Sequence, residues 1–382
     1  MKSHHPTPAE YIKRVISPAT GEYVMSYGVI TTFALHPDGP AENPYMSQVW
    51  PLAMAALGES SILDEGWPKA AGEFVAYGAA FCPAGFTEQP VSVRIRVGSL
   101  EKQLAVFGNR TINFAGTISQ PKAFMRLPIT AENAFGGEGY DKNPLGKAAT
   151  PIISESGESV WPMPNVELPN KLMIKQSDQL EPAGFWALQQ AAPQRAQHLG
   201  PFDDAWIKQR WPHLPLGTKP AFYQSAPADQ QLNDYFKGDE RIVIRNMHPQ
   251  HAVIESALPS LRARIFVERA RQNGEIEFTE YTSRAETVWL FPESLTGMIL
   301  FRATLPTRDA DADDLLHVYA AFESLNQSPQ PIEVHYRDFL VRAGRVTLPE
   351  AAPSLATGSS EFDAEIQSEQ NELKAVQAWA KS

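Results

Sequence analysis

The clearest pattern in the chain is a strict alternation. In VSVRIRV, residues 91–97, Val91, Val93, Ile95 and Val97 fall on one side and Arg94 and Arg96 on the other. That two-residue repeat belongs to a half-buried strand. KQLAVFG follows directly after Gly98-Ser99, a spacing that predicts a hairpin. EYVMSYGVITTFAL, residues 22–35, is dense in β-branched and aromatic residues and predicts one long strand or two short ones. The turn formers of HPDGPAENP end it. Strands are predicted again in RIVIRNM, after a turn at Gly238-Asp239, and in ARIFVER, EIEFTEY, ETVWLF and GMILFRA. Asn273-Gly274-Glu275 closes a hairpin between the second and third of these.

Helical signals are few. DADADDLLHVYAAFESL, residues 309–325, reads as the best central helix, with acids at its N-terminus where the helix dipole favours them. Near the end of the chain Phe362, Ile366, Leu373, Val376 and Trp379 form an apolar stripe at helical spacing, behind a capping-box-like start at Ser360 and Asp363. WPLAMAALG fits a helical turn or a buried loop equally well. From Pro144 to Pro259 regularity fades into ordered, proline-braced surface with short elements.

These elements predict a mainly β fold, an antiparallel sandwich-like architecture with long proline-rich ordered loops and a few helices. Regular helices do not separate the strands, which disfavours a doubly wound sheet. The expected organisation is an arm over 1–21, a β-rich domain over 22–345, a linker over 346–359 and an amphipathic helix over 360–382.

Composition narrows the function classes. Hydrophobic residues at 43% and charged residues at 20% describe an ordinary globular protein. Thirty-two prolines would suggest disorder, but aromatics at 10% point to packed loops instead. No apolar run is long enough for a membrane helix, and MKSHHPTPAE has no apolar core of a secretory signal. With a single cysteine, Cys82, a reducing compartment and a cytoplasmic location are expected. The net charge of −11 argues against bulk attraction to nucleic acid or anionic membrane. Locally the sign reverses: Arg94, Arg96, Lys102, Arg110, Lys122 and Arg126 stand against Glu101 alone between Val91 and Arg126.

Familiar chemical motifs come close and fail. DKNPLGKA lacks the first glycine of a phosphate loop, where Asp141 stands, and its hydroxyl, where Ala148 stands. Asp309, Asp311 and Asp313 open like a calcium loop, but Asp314 and Ala320 occupy its glycine and closing glutamate positions. His248 and His251 have no third ligand nearby, and Cys82 has no neighbouring histidine. No metal and no cofactor are expected. Two readings stay open for Arg94 and Arg96: a solvated sheet face, or a surface for an anionic partner. The tail stripe likewise docks either on its own domain or on a partner. An enzymatic alternative is a hydrolase-like site assembled from the loop-rich middle, drawing on His198, His213 or His248 with Asp203, Asp229 or Asp239.

YGAAFCPAG, VSVRIRVG, KQLAVFGNR, KAFMRLPITAENAFGGEGYDKNPLGK, MPNVELPN, PAGFWAL, FYQSAPADQQL, FKGDERIVIRNM and ETVWLFPESLTGMILFRA stand in this order. With these segments, over residues 23 to 340, the chain resembles a bacterial domain-of-unknown-function family encoded beside type VI secretion effectors. Members of that family act as effector chaperones or adaptors. The resemblance implies a cytoplasmic binding protein, not an enzyme, whose partners are a cognate type VI effector and the VgrG spike or its tip protein. It implies no catalytic residues. Apolar and aromatic surface would shield a labile segment of the effector, and a polar rim would set specificity.

Overall fold

The computed structural model describes residues 2–4, 10–16, 23–39, 67–82, 90–147, 150–209, 211, 214–215, 217–308 and 311–346. Five sheets are formed among them. The central one has five strands in the order β2 (Glu10–Ile16), β3 (Tyr23–Ala34), β18 (Thr296–Thr307), β17 (Arg284–Phe291) and β4 (Glu73–Ala76). Its pairs are antiparallel except β17 with β4. A second five-stranded sheet runs β12 (Val166–Glu167), β7 (Leu100–Val106), β6 (Val91–Val97), β13 (Arg241–Arg245) and β14 (Val253–Ala257). A four-stranded sheet joins β1 (Lys2–His4), β19 (Leu315–Ser324), β15 (Leu261–Ala270) and β16 (Ile276–Tyr281). Two small sheets hold β10 (Ile152–Ile153), β11 (Ser159–Pro162) and β8 (Thr111–Asn113), and β5 (Ala79–Phe81) with β9 (Arg126–Pro128). The protein is mainly β with few helices, as its alternating patterns predict.

The elements follow from the residues. Residues 23–34 make one strand, buried along nearly its whole length because it lies between β2 and β18 in the middle of its sheet. Its two faces serve different clusters. Tyr27, Val29 and Phe33 enter the main core, shared with Val93, Ile95, Leu104, Ile242, Ile265 and Val318 of the other two large sheets. Ile30 enters a smaller cluster with Val75, Trp289, Met298 and Leu300 on the opposite face. Burying about a dozen large apolar side chains, each worth roughly 1.5–3 kcal/mol, is what holds the sheets together. The β6–β7 hairpin pairs Val97 with Leu100, and the β15–β16 hairpin turns through Gly274 at φ +81°.

Two expectations change. The helix expected over 309–325 is strand β19 from Leu315 onward. It pairs with β15 from Ser324 back to Leu315, with one bulge, and this places Leu315, Val318 and Ala320 in the main core. Pairing overrides the helix preference of Ala320-Ala321, and Val318, Tyr319 and Phe322 suit a pleated surface. The acids ahead of it serve another end: Asp314 accepts hydrogen bonds from Arg269 and from the Arg308 amide. Residues 2–4 and 10–16, read as an arm, contribute β1 and β2.

The loop-rich middle carries short elements, helices α1 (Pro193–Ala196) and α2 (Asp204–Gln209) among them. It also buries Phe185, Phe222 and Ala226, so it is part of the interior as well as surface. Contacts divide the chain into units over 1–335 and 336–382. Helix α3 (Ile332–Arg342) starts in the first unit and continues in the second. Within the second, Tyr336 and Phe339 stack at 6.2 Å and Arg342 meets Asp338 at 3.1 Å. The stripe Phe362, Ile366, Leu373, Val376 and Trp379, the linker and WPLAMAALG lie outside the described residues.

Candidate interaction surface

The outward face of the hairpin sheet is built by alternation alone. Val91, Val93, Ile95 and Val97 turn inward, which leaves Ser92, Arg94 and Arg96 outside. Register then adds what the sequence of one strand cannot show. Arg245 of β13 stands directly across from Arg94, and Val243 across from Arg96. Directly opposed residues on neighbouring strands lie roughly 4.5–5.5 Å apart, and like charges there repel. On the other flank Arg96 faces Glu101, yet the ion pair runs diagonally, from Arg94 Nη1 to Glu101 Oε1 at 3.3 Å. Arg241 pairs with Glu255 at 3.2 Å across β13 and β14. Arg96 and Arg245 have no ion-pair partner among the described residues. Four arginines, Arg94, Arg96, Arg241 and Arg245, thus share one outward sheet face, and carboxylates engage two of them, Glu101 on Arg94 and Glu255 on Arg241.

The other basic residues between Val91 and Arg126 do not join that face. Lys102 projects from β7 to the buried side, where its ammonium donates to Asp229 at 2.9 Å and Gln230 at 2.8 Å. Burial lowers its pKa, and the Asp229 carboxylate opposes that shift. Arg110 is buried against Glu167, and Arg126 is held by both Glu293 oxygens at 2.9 and 3.0 Å.

The described residues of the hydrolase alternative have no hydrogen bonds to one another. Asp203 caps α2 through the Trp206 amide at 2.9 Å, and Asp229 is taken by Lys102. His248 Nδ1 accepts the amides of Gln250 and His251, both at 3.1 Å, so it shapes its own turn. Burial and the neighbouring His251 hold its imidazole below the ordinary range. His198 enters backbone hydrogen bonds to Arg195 and from Lys219, Asp239 is exposed, and His213 lies outside the described residues. No hydrogen bond joins these histidines to these aspartates, and no group of three metal-ligating side chains occurs, among the described residues.

The glycine-aromatic block is a knotted turn. Asn143 Nδ2 donates to the carbonyls of Ala131 and Phe135 at 2.9 and 3.0 Å, and the Asn143 carbonyl accepts Gly137 N at 2.9 Å. A Cβ on Gly136 would lie 2.0 Å from that carbonyl oxygen. Tyr140 packs edge-on against Phe135 and donates to Leu180 O at 2.7 Å. These residues therefore shape backbone.

Sequence reasoning missed two features. A buried polar network lies on the second face of the central sheet. Glu73 accepts from Lys69 Nζ, Gln224 Nε2, the Ser225 amide and hydroxyl, and the Ala226 amide, at 2.5–3.1 Å. Glu286 is the extra residue of a bulge in β17, which lets its carboxylate meet Arg302 Nε at 2.7 Å. Gly28 leaves room for that guanidinium, since a Cβ there would lie 3.3 Å from Arg302 Nη1 and 2.7 Å from Leu300. The second feature is apolar and exposed. Phe202, Ile207 and Trp211 around α2 are 55%, 60% and 67% exposed, and Phe202 meets Trp206 edge-on at 4.9 Å. The i, i+4 spacing of Phe202 with Trp206 and of Ile207 with Trp211 was the signal.

The chain is a β-rich protein with an outward cationic sheet face and exposed aromatic side chains. Residues 20–302 match the model of an uncharacterized protein family conserved in bacteria, DUF2169, and the chain belongs to that family. No curated protein and no solved structure matches it. Among the described residues no helix is long and apolar enough to cross a membrane.

Proposed function

We propose that this protein is a type VI secretion chaperone or adaptor. It binds a cognate toxic effector in the cytoplasm and helps load it onto the VgrG spike or its tip protein, by binding without catalysis. The observation that carries the reading is the arginine face: Arg94, Arg96 and Arg245 gathered outward on a protein of net charge −11, with Arg96 and Arg245 lacking a carboxylate. Arginine forks suit the carboxylates of an acidic protein segment. Exposed Phe202, Ile207 and Trp211 supply the apolar anchors that dominate binding energy at interfaces. The tail stripe from Phe362 to Trp379 adds a second apolar contact in this reading.

The test is co-purification with the product of the neighbouring effector gene and with VgrG. Arg94→Gln with Arg96→Gln is expected to weaken the complex with at most a small fall in melting temperature, because both arginines are half-buried and only the partly exposed Arg94–Glu101 pair, worth at most about 1 kcal/mol, is lost. Trp211→Ala is expected to cost about 2 kcal/mol of binding, near thirtyfold. Truncation after Glu350 separates the tail's contribution. An effector that is secreted normally without this protein, and never co-purifies with it, would refute the reading.

A further inference from the structure

A cleft of about 610 Å³ opens between the 234–237 loop and the ends of β15, β16 and β17. Phe236, Leu261, Ala263, Ala285 and Phe301 form its floor, all nearly buried. Phe236 is fixed there by its amide, which donates to Ala285 O at 3.2 Å. Four cations and two acids line the walls and rim.

The cations fall into two kinds. Arg264 is held by both Glu280 oxygens at 2.8 and 2.6 Å and by Glu323 at 3.0 Å, and Arg262 by Glu323 at 2.9 Å. Those two are neutralised. Arg284 instead lies over the Tyr235 ring, its Cζ 4.8 Å from the centroid, with Nη1 donating to the Tyr235 hydroxyl at 3.2 Å. Tyr235 is itself anchored, donating to Lys69 O at 2.8 Å. Lys237 sends its amide to Glu240 at 2.7 Å, while its ammonium has no partner among the described residues. Asp234 turns back to cap the Tyr235 amide at 2.8 Å. Arg284 and Lys237 are therefore cations without a carboxylate, set at the rim of an apolar floor.

We propose that this cleft binds an acidic, apolar peptide segment of a protein partner, carboxylates on Arg284 and Lys237 and an apolar side chain on the floor. A lone phosphate would engage the rim and leave most of the volume empty, since clefts of this size enclose ligands of many atoms. A nucleic acid strand needs a run of cations to neutralise successive phosphates, and the cleft offers only Arg284 and Lys237 without a carboxylate among its described residues. This inference needs no type VI partner and no contribution from the Arg94 face.

The test is fluorescence anisotropy on the full chain with a labelled peptide alternating glutamate with leucine and phenylalanine. Saturable binding is expected, weakened about tenfold or more by Lys237→Glu with Arg284→Glu. Lys171→Glu with Lys219→Glu, the same charge change at exposed lysines outside the cleft, is expected to leave it unchanged. Lys237→Gln alone is expected to weaken it with an unchanged melting temperature, which separates binding from folding. The glutamine version of the peptide is expected to bind about tenfold more weakly, and inorganic phosphate not to compete. Absent binding, equal binding of the glutamine peptide, or no effect of the cleft variants would overturn the proposal. Full competition by phosphate would make the cleft a small-anion site and overturn the peptide assignment.

Discussion

Glu286 and Arg302 give the sharpest test of what the interior needs. Their side chains are 3% and 1% exposed and meet at 2.7 Å, with Arg302 also donating to Ser26 Oγ at 2.9 Å. Glu286→Ala would take a bound carboxylate from a buried guanidinium, at a cost of about 3–5 kcal/mol. Unfolding entropy of about 2.1 cal/mol/K per residue gives about 0.7 kcal/mol/K over the 1–335 unit. The loss then appears as a fall in Tm of about 4–7 °C.

The companion variant decides the cause. Glu286→Leu with Arg302→Met removes both charges at similar volume, and such replacements are often neutral or stabilising. Recovery is expected to be incomplete, because the Lys69 amide also donates to Glu286, at 3.3 Å, and would lose its acceptor. A lost partner of that kind costs about 1–3 kcal/mol. Thermal melts by circular dichroism on the wild type, the single and the double variant are the assay. A double variant as unstable as Glu286→Ala would show that the pair itself stabilises the fold, and refute the reasoning from desolvation.

Gly136→Ala drives a Cβ to within 2.0 Å of the Asn143 carbonyl, and Gly137→Val puts a β-branched residue at φ +115°. Each is expected to cost about 1–3 kcal/mol, read as a lower Tm. Unchanged stability with lost partner binding would make the block a contact surface instead. Glu323 titrates low: burial alone would raise its pKa, but donors from His335, Arg262, Arg264 and the Gln330 amide outweigh it and hold the carboxyl below its ordinary 4.5. Its contribution is therefore present above about pH 4.5 and lost as pH falls through the folded-state value. Tm measured from neutral to acid pH should fall less steeply for Glu323→Gln than for the wild type below that point, and parallel curves would sink the assignment.

Strands and their inward faces were legible because alternation is a local signal. Val91, Val93, Ile95 and Val97 point inward as their spacing requires. Residues 315–324 were not legible, since Ala320-Ala321 carry helix propensity and only the ladder to β15 decides otherwise. Helix α3 went unseen beside them. The arginine face was half legible: Arg94 and Arg96 share a strand, but Arg245 joins them through a pairing across some 150 residues of chain. Lys102 failed for a related reason. Alternation puts it on the apolar face, and only Asp229 and Gln230, brought from a distant loop, make that position tolerable for an ammonium. Glu286 depends on a bulge, which no period in ETVWLF announces.

The allocation of charge supplies the remaining argument. Four cations that enter the interior each meet a carboxylate, Lys69 with Glu73, Lys102 with Asp229, Arg110 with Glu167 and Arg302 with Glu286, while buried Arg195 donates to the Phe222 and Leu188 carbonyls. The cost of an unmatched buried charge enforces that matching whatever the protein does. At the surface no such cost acts, and an acidic chain has carboxylates in excess for any exposed guanidinium to find. Arg245 instead stands opposite Arg94, and Arg284 is held by a tyrosine ring rather than an acid. Folding gains little from either arrangement, since exposed pairs are worth at most about 1 kcal/mol and opposed like charges repel. On the proposed reading both arrangements gain from a docked anionic segment, whose carboxylates would supply the missing counter-charges and relieve the repulsion. Acidic peptide is therefore expected to raise the Tm of the wild type at low salt and to lose the effect at high salt. A Tm unmoved by peptide at either ionic strength would return both sets of arginines to solvated surface.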